Sequence, residues 1–247
     1  MTTSFDALFE VALVGFYILD SARLLYADEF LYLEVGGRWK PGGLGSGVEI
    51  VGRILWIPNP LMPGHVFVRL CWPGNVAHEE PGELASFPAL VRVLNPLRYL
   101  TAGLFSLLVA GVPIALSRFG GDVAVTALAS LVYLTILVML VIAYRRRRVL
   151  GLSGAAFGKI AFDSLVCPPL ALNLVPKLSS RRAVRSDALI VGRRLLDGTD
   201  YEGLLTALSR RLERELGGEA EGTDRYSVLE VHRMWLEQEL TKAATAE

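Results

Sequence analysis

Four side chains in this sequence are of types that could do chemistry in or beside a membrane: Asp20, Arg23, Asp163 and Cys167. Carboxylates and cations within apolar segments often mark ion paths or proton relays. A cysteine thiol can act as a nucleophile once a neighbouring base generates the thiolate, but the sequence supplies no such base near Cys167. The opposing expectation is interfacial. If a helix runs from Leu8 to Tyr26, Asp20 and Arg23 lie three residues apart on one face, where they can pair or snorkel to the inner interface, with Glu10 near the outer end.

Other catalytic signatures are missing. The chain contains no GxSxG, HExxH or P-loop motif and no GxGxxG following a strand. The glycine-rich run at 42–47 precedes a strand and reads as a hairpin loop instead of a phosphate cradle. His65, His78 and His232 have no ligand spacing, so no metal or other cofactor is expected. Cys71 and Cys167 are expected to be free thiols on the reducing side of a membrane, with packing as their role.

The elements that carry these residues are unusually apolar. Of 247 residues, 52% are hydrophobic and the mean hydropathy is +0.42, values that point to an integral membrane protein. Val123 to Tyr144 is 22 residues without a charge, which at about 1.5 Å per residue can cross a hydrocarbon core of about 30 Å. Tyr99 to Ser117 gives another 19 uncharged residues, with Asn95 as its expected N-cap, Pro96 at the first helical position and Pro113 expected to kink it. The short RFGGD connection between the two segments makes them an antiparallel hairpin. Their Ser and Thr hydroxyls (Ser106, Thr126, Ser130, Thr135) are expected to bond within the helices.

Charge sets the orientation. Arg145, Arg146, Arg147 and Arg148 abut the second hairpin helix and Arg92 and Arg98 precede the first, so the positive-inside rule puts both outer ends in the cytoplasm. The arginine quartet reads as a topology anchor facing anionic lipid headgroups, and without interleaved aromatics it does not read as a nucleic-acid surface. Residues 1–22 contain no Lys or Arg, which favours an exported N-terminus, a first span within 1–27 and no cleavable signal peptide. The expected location is the plasma (inner) membrane, multi-pass, with the N-terminus outside and the C-terminus cytoplasmic.

Residues 28–91 change character. Three stretches rich in Val, Ile and aromatics, punctuated by Gly and Pro, read as a small antiparallel β meander at the cytoplasmic face. Trp39, Trp56 and Trp72 fall at strand ends, where they could meet headgroups or close a small core. The hairpin occupies 92–148. In 149–182 the charges of Lys159 and Asp163 and the pair Pro168–Pro169 argue against a fourth crossing. We expect a helix to about Val166, a proline break, then a short apolar element around Leu170 to Val175, interfacial or re-entrant. Residues 183–247 read as a cytoplasmic helical tail, opened by Thr199 with Glu202 and continued by Ser227 with Glu230.

The fold class is therefore an α-helical integral membrane protein with a small β-sheet element: about three transmembrane helices, an interfacial helix and a cytoplasmic helical hairpin. Two functional classes stay open. One is a non-catalytic adaptor or accessory subunit that sits in the lipid bilayer and takes a protein partner through its C-terminal helices. The other is a membrane enzyme or transport component using Asp20, Arg23, Asp163 and Cys167 at the inner interface. Convergence of those four in one cleft would favour the second class and dispersal the first.

Overall fold

The structure, a computed structural model, describes residues 2–26, 29–42, 49–50, 53–57, 59, 62–71, 86–115, 122–180 and 183–244. The hairpin connection, most of the glycine-rich run at 42–47, Trp72 and His78 lie outside the described residues, as do the side chains of Asp6, Glu10 and Cys71. The chain is mostly helical with a small sheet, and among the described residues two helices are long and apolar enough to cross a membrane.

Helix α1 (Thr2–Ser21) is followed by strands β1 (Arg23–Leu25), β2 (Glu29–Val35), β3 (Arg38–Pro41), β4 (Glu49–Ile50), β5 (Arg53–Trp56) and β6 (Val66–Cys71). Asp20 and Arg23 therefore do not share a helix face. The helix stops at Ser21 because the chain turns into β1, whose residues pair with β5 from Arg23↔Trp56 to Leu25↔Ile54.

Helix α2 (Ser86–Ser106) starts nine residues before the expected N-cap Asn95, and Pro96 lies inside it. Burial explains the early start: Phe87, Leu90, Leu94 and Leu97 are each at most 1% exposed and line one face at helical spacing. A π-helical turn at Leu107–Gly111 leads to the short α3 (Val112–Ile114), with the Val112 N–H donating to the Leu107 carbonyl. Pro113 has no N–H to give the regular ladder, and the widened turn just before it absorbs that defect. The antiparallel partner is α4 (Asp122–Arg145). Ser106, Ser130 and Thr135 each donate to the carbonyl four residues back, as expected of hydroxyls in apolar helices.

Phe87–Ile114 and Val123–Arg145 have mean hydropathies of 1.6 and 2.6 in their most apolar windows, and only 22% of either window is buried in the protein. The uncovered remainder separates them from the core helices of a globule, whose apolar surface is mostly enclosed.

After α4 come α5 (Gly154–Val166), α6 (Pro168–Ala171), α7 (Leu174–Ser180), strand β7 (Ala183–Asp187) and helices α8 (Ala188–Leu195), α9 (Gly198–Gly218) and α10 (Asp224–Ala244). Cys167 is the hinge between α5 and α6, extended at φ −133° and ψ 91°, as the residue before a proline prefers.

Among the described residues the strands form two sheets, β1-β5-β4 and β3-β2-β6-β7. The meander expected of 28–91 is thus incomplete in that segment. β1 comes from the end of α1, and β7, from the tail expected to be wholly helical, adds in parallel to β6 through Arg69↔Ala183 and Cys71↔Asp187, with a register shift between the two pairs. Alternation along β6 places Val66, Val68 and Leu70 in the main core and Phe67 in a second cluster with Leu25, Leu31 and Trp56. Trp39 packs on Phe87, and Trp56 packs on Phe67 while its indole N–H donates to the Gly42 carbonyl. Both tryptophans close cores.

The tail docks on this sheet. Leu204, Leu205, Leu208 and Leu212 of α9 are buried in the main core, each contributing roughly 2 kcal/mol of apolar burial. Arg211 is 4% exposed, and its guanidinium donates to the Tyr26 and Glu29 carbonyls and lies over the Phe30 ring. Neither Thr199 nor Ser227 opens its helix. Asp197 occupies the N-cap of α9 and pairs with Arg38, and Thr223 accepts from the Tyr226 N–H at the start of α10.

Candidate functional site

Three contacts fix the relative heights of the helices. The Arg146 guanidinium donates to the carbonyls of Arg92 and Val93, the rings of Tyr144 and Phe157 meet at 5.2 Å, and Tyr17 faces Phe105 at 6.4 Å. Counting about 1.5 Å per residue from these anchors brings Ser21, Tyr99 and Met139 to nearly one level. Below it, the first half of α2 lies along the sheet, with Glu34 ion-paired to Arg98 and Gly64 against Arg98 and Thr101. Above it rise α1 and the two apolar stretches. α1 buries Leu13 and Tyr17 and exposes Leu8, Val11, Phe16 and Leu19.

At this level the end of α1 meets α5 and α7 around a cleft of about 300 Å³ lined by Asp20, Arg23, Lys159, Ile160, Asp163, Lys177 and Ser180. Lys177 Nζ lies 2.8 Å from Asp20 Oδ2, and the buried amide of Asn173 donates to the same oxygen at 2.9 Å and to the Tyr17 carbonyl at 3.0 Å. Asn173 Oδ1 is left buried without a hydrogen-bond partner. Arg23 does not reach the Asp20 carboxylate and donates instead to the carbonyls of Asp20 and Ala22, satisfying the end of α1. Burial, with Arg69 nearby, lowers the Arg23 pKa, an effect that Asp20 opposes.

Of the four residues that could do chemistry, the structure brings Asp20, Arg23 and Asp163 to one cleft. Cys167 does not line it: its thiol is free and half-buried at the hinge, and its N–H closes the last turn of α5 on the Asp163 carbonyl. Lys159, Lys177 and Asn173 complete the site. Lys159 and Asp163, four apart on one helix, were open to recognition from spacing. Lys177 and Asn173 reach Asp20 only through the break at Cys167 and Pro168, a contact no local pattern encodes.

The arginine quartet divides. Arg145 and Arg148 are exposed, whereas Arg146 caps the carbonyls of Arg92 and Val93 and Arg147 stacks on Tyr144 at 4.5 Å. A second cleft, of about 380 Å³, lies where α8, α9 and α10 meet, with Arg193, Arg194, Tyr201, Trp235 and Glu239 in its walls. Beside it α10 buries Leu229 and Leu236 but exposes Val228, Val231, Met234 and Trp235 by 40–58%.

No protein-family profile, curated protein or solved structure matches this chain.

Proposed function

We propose that this protein is a multi-pass membrane adaptor or accessory subunit. Its N-terminus faces out, α1 forms a third span beside the hairpin, and the sheet with helices α5 to α10 forms one body at the cytoplasmic face of the plasma (inner) membrane. The carrying observation is the apolar face that α10 leaves uncovered. The leucine stripe of α9 is buried on the chain's own sheet, so it needs no partner, whereas Val228, Val231, Met234 and Trp235 remain at the surface. Apolar residues grouped beside a cleft with two arginines suit a helical partner segment carrying both apolar and acidic side chains.

The decisive experiment is capture in mild detergent of the full chain and of a Val231→Asp/Trp235→Ala variant. Loss of a co-purifying protein from an inserted, folded variant is expected, and an unchanged partner set would overturn the adaptor reading. A reporter active only outside the cytoplasm, fused at Glu247, is expected to stay silent, and a strong signal would overturn the topology.

A membrane enzyme or transport component is the second reading, favoured by the convergence of Asp20, Arg23 and Asp163 on one cleft. Asp20 is already held by Lys177 and Asn173, and among the described residues no thiol or hydroxyl in the cleft is hydrogen-bonded to a base, so the arrangement suits binding better than bond-making.

A further inference from the structure

The cleft between α1, α5 and α7 has a mostly polar lining, and exposed apolar side chains neighbour its lining residues along the same helices. Leu19, 76% exposed, precedes Asp20, and Phe162 and Val166, 67% and 65% exposed, lie one turn apart on α5, both on the same side of Asp163 by helical spacing. Water is a poor solvent for these side chains, and a bilayer is a good one. The lining holds three cations, Arg23, Lys159 and Lys177, and two carboxylates, Asp20 and Asp163. Lys177 and Asp20 neutralise one another. Among the described residues, Lys159 and Asp163 form no ion pair, either with each other or elsewhere, and the Arg23 guanidinium has only backbone carbonyls as partners.

The groups left available are thus two cations and one carboxylate, a set matched to a ligand carrying both a phosphate and an ammonium. A purely anionic headgroup would meet Asp163 unfavourably, and a trimethylated ammonium would offer that carboxylate no N–H donor. We propose that this cleft binds the headgroup of an aminophospholipid, its phosphate held by Arg23 and Lys159 and its primary ammonium by Asp163, with the acyl chains lying on Leu19, Phe162 and Val166. The proposal rests on the membrane reading given above, and it commits the bound amphiphile to the leaflet that contacts the sheet-bearing body.

The test is native mass spectrometry of the full chain in micelles doped with equal amounts of phosphatidylethanolamine, phosphatidylcholine and phosphatidylglycerol, with phosphoethanolamine as a lipid-free arm. Retention of phosphatidylethanolamine over the other two is expected. A drop of about tenfold is expected in Lys159→Gln and Arg23→Gln, the loss of one charge-assisted contact. Asp163→Asn is expected to remove the preference over phosphatidylglycerol while keeping phospholipid binding. Lys159 is exposed and forms no ion pair among the described residues, so its variant tests the site even if Arg23→Gln fails to fold. Equal retention of all three lipids, retention unchanged by Lys159→Gln, a preference for phosphatidylglycerol, or free phosphoethanolamine binding as tightly as the lipid would each overturn the proposal. Recovery of the protein in the soluble fraction without detergent would overturn the membrane reading instead, so the two failures are distinguishable.

Discussion

Lys177 on α7 places its ammonium 2.8 Å from the Asp20 carboxylate at the end of α1, joining two residues 157 positions apart in sequence. Both side chains are about four-fifths buried, at 17% and 23% exposure, and Asn173 supports the carboxylate from behind. Pairs this enclosed are screened little by salt, and losing one partner strands the other.

Asp20→Asn and Lys177→Met are accordingly expected to destabilise the protein individually, with a coupling energy of about 1–2 kcal/mol in a double-mutant cycle. Thermal unfolding in detergent measures it. A coupling near zero would mean that the pair is incidental to the docking of α7.

Gly192 on α8 sits where an added Cβ would lie 2.7 Å from the Tyr32 hydroxyl and 2.9 Å from a Leu204 methyl. The Tyr32 hydroxyl donates to the Ala188 carbonyl, so it has little freedom to move away. Gly192→Ala should cost about 1–3 kcal/mol through overpacking. Combining it with Tyr32→Phe removes the closer obstacle and should recover part of that loss. If the double variant is no more stable than the sum of the singles, the clash is relieved elsewhere.

His65 precedes β6 and lies close to the Glu34–Arg98 pair. Burial lowers its pKa below the ordinary 6.5, the Arg98 charge lowers it further and Glu34 pulls it back up. The unfolded chain therefore binds a proton more readily than the folded one, and the contribution of His65 to stability is lost as pH falls below about 6.5. Melting temperature should drop between pH 7.5 and 5.5 by less in His65→Gln than in the parent protein. An identical drop would assign the acid sensitivity to other groups.

These contacts show what the sequence made legible and what it did not. Uncharged length marked the hairpin, and the Cys167-Pro168-Pro169 run marked the helix break at the right residue, because both effects are local. The alternation of Val66, Val68 and Leu70 with Phe67 is visible in the sequence, but that the two sets enter separate cores is known only from the fold. The start of α2 was missed because Asn95-Pro96 is a strong local start signal that the Phe87, Leu90, Leu94 and Leu97 stripe overrides once a sheet lies against it. Strand β7 was missed because a lone parallel strand is specified by its partner, here 114 residues upstream from Arg69 to Ala183. At the site, Asp20, Arg23 and Asp163 stood out as charges in apolar sequence, whereas Lys177 carried no such signal, and the chain reversal that brings it to Asp20 is not local.

That reversal yields the sharpest test of the path through 149–182. Lys159 and Ser180 line one cleft, although 21 residues separate them, and the break at Cys167 lies between them. A straight helix over that interval would hold its ends about 30 Å apart, enough to put them on opposite sides of a bilayer. Two ends in one cleft require an out-and-back course instead. In a background with Cys71 and Cys167 replaced by Ser, single cysteines at Lys159→Cys and Ser180→Cys should both react with a membrane-impermeant maleimide in inside-out vesicles and neither in intact cells. Labelling of one from each side would establish a fourth crossing and dismantle the cleft, and with it the lipid site it frames.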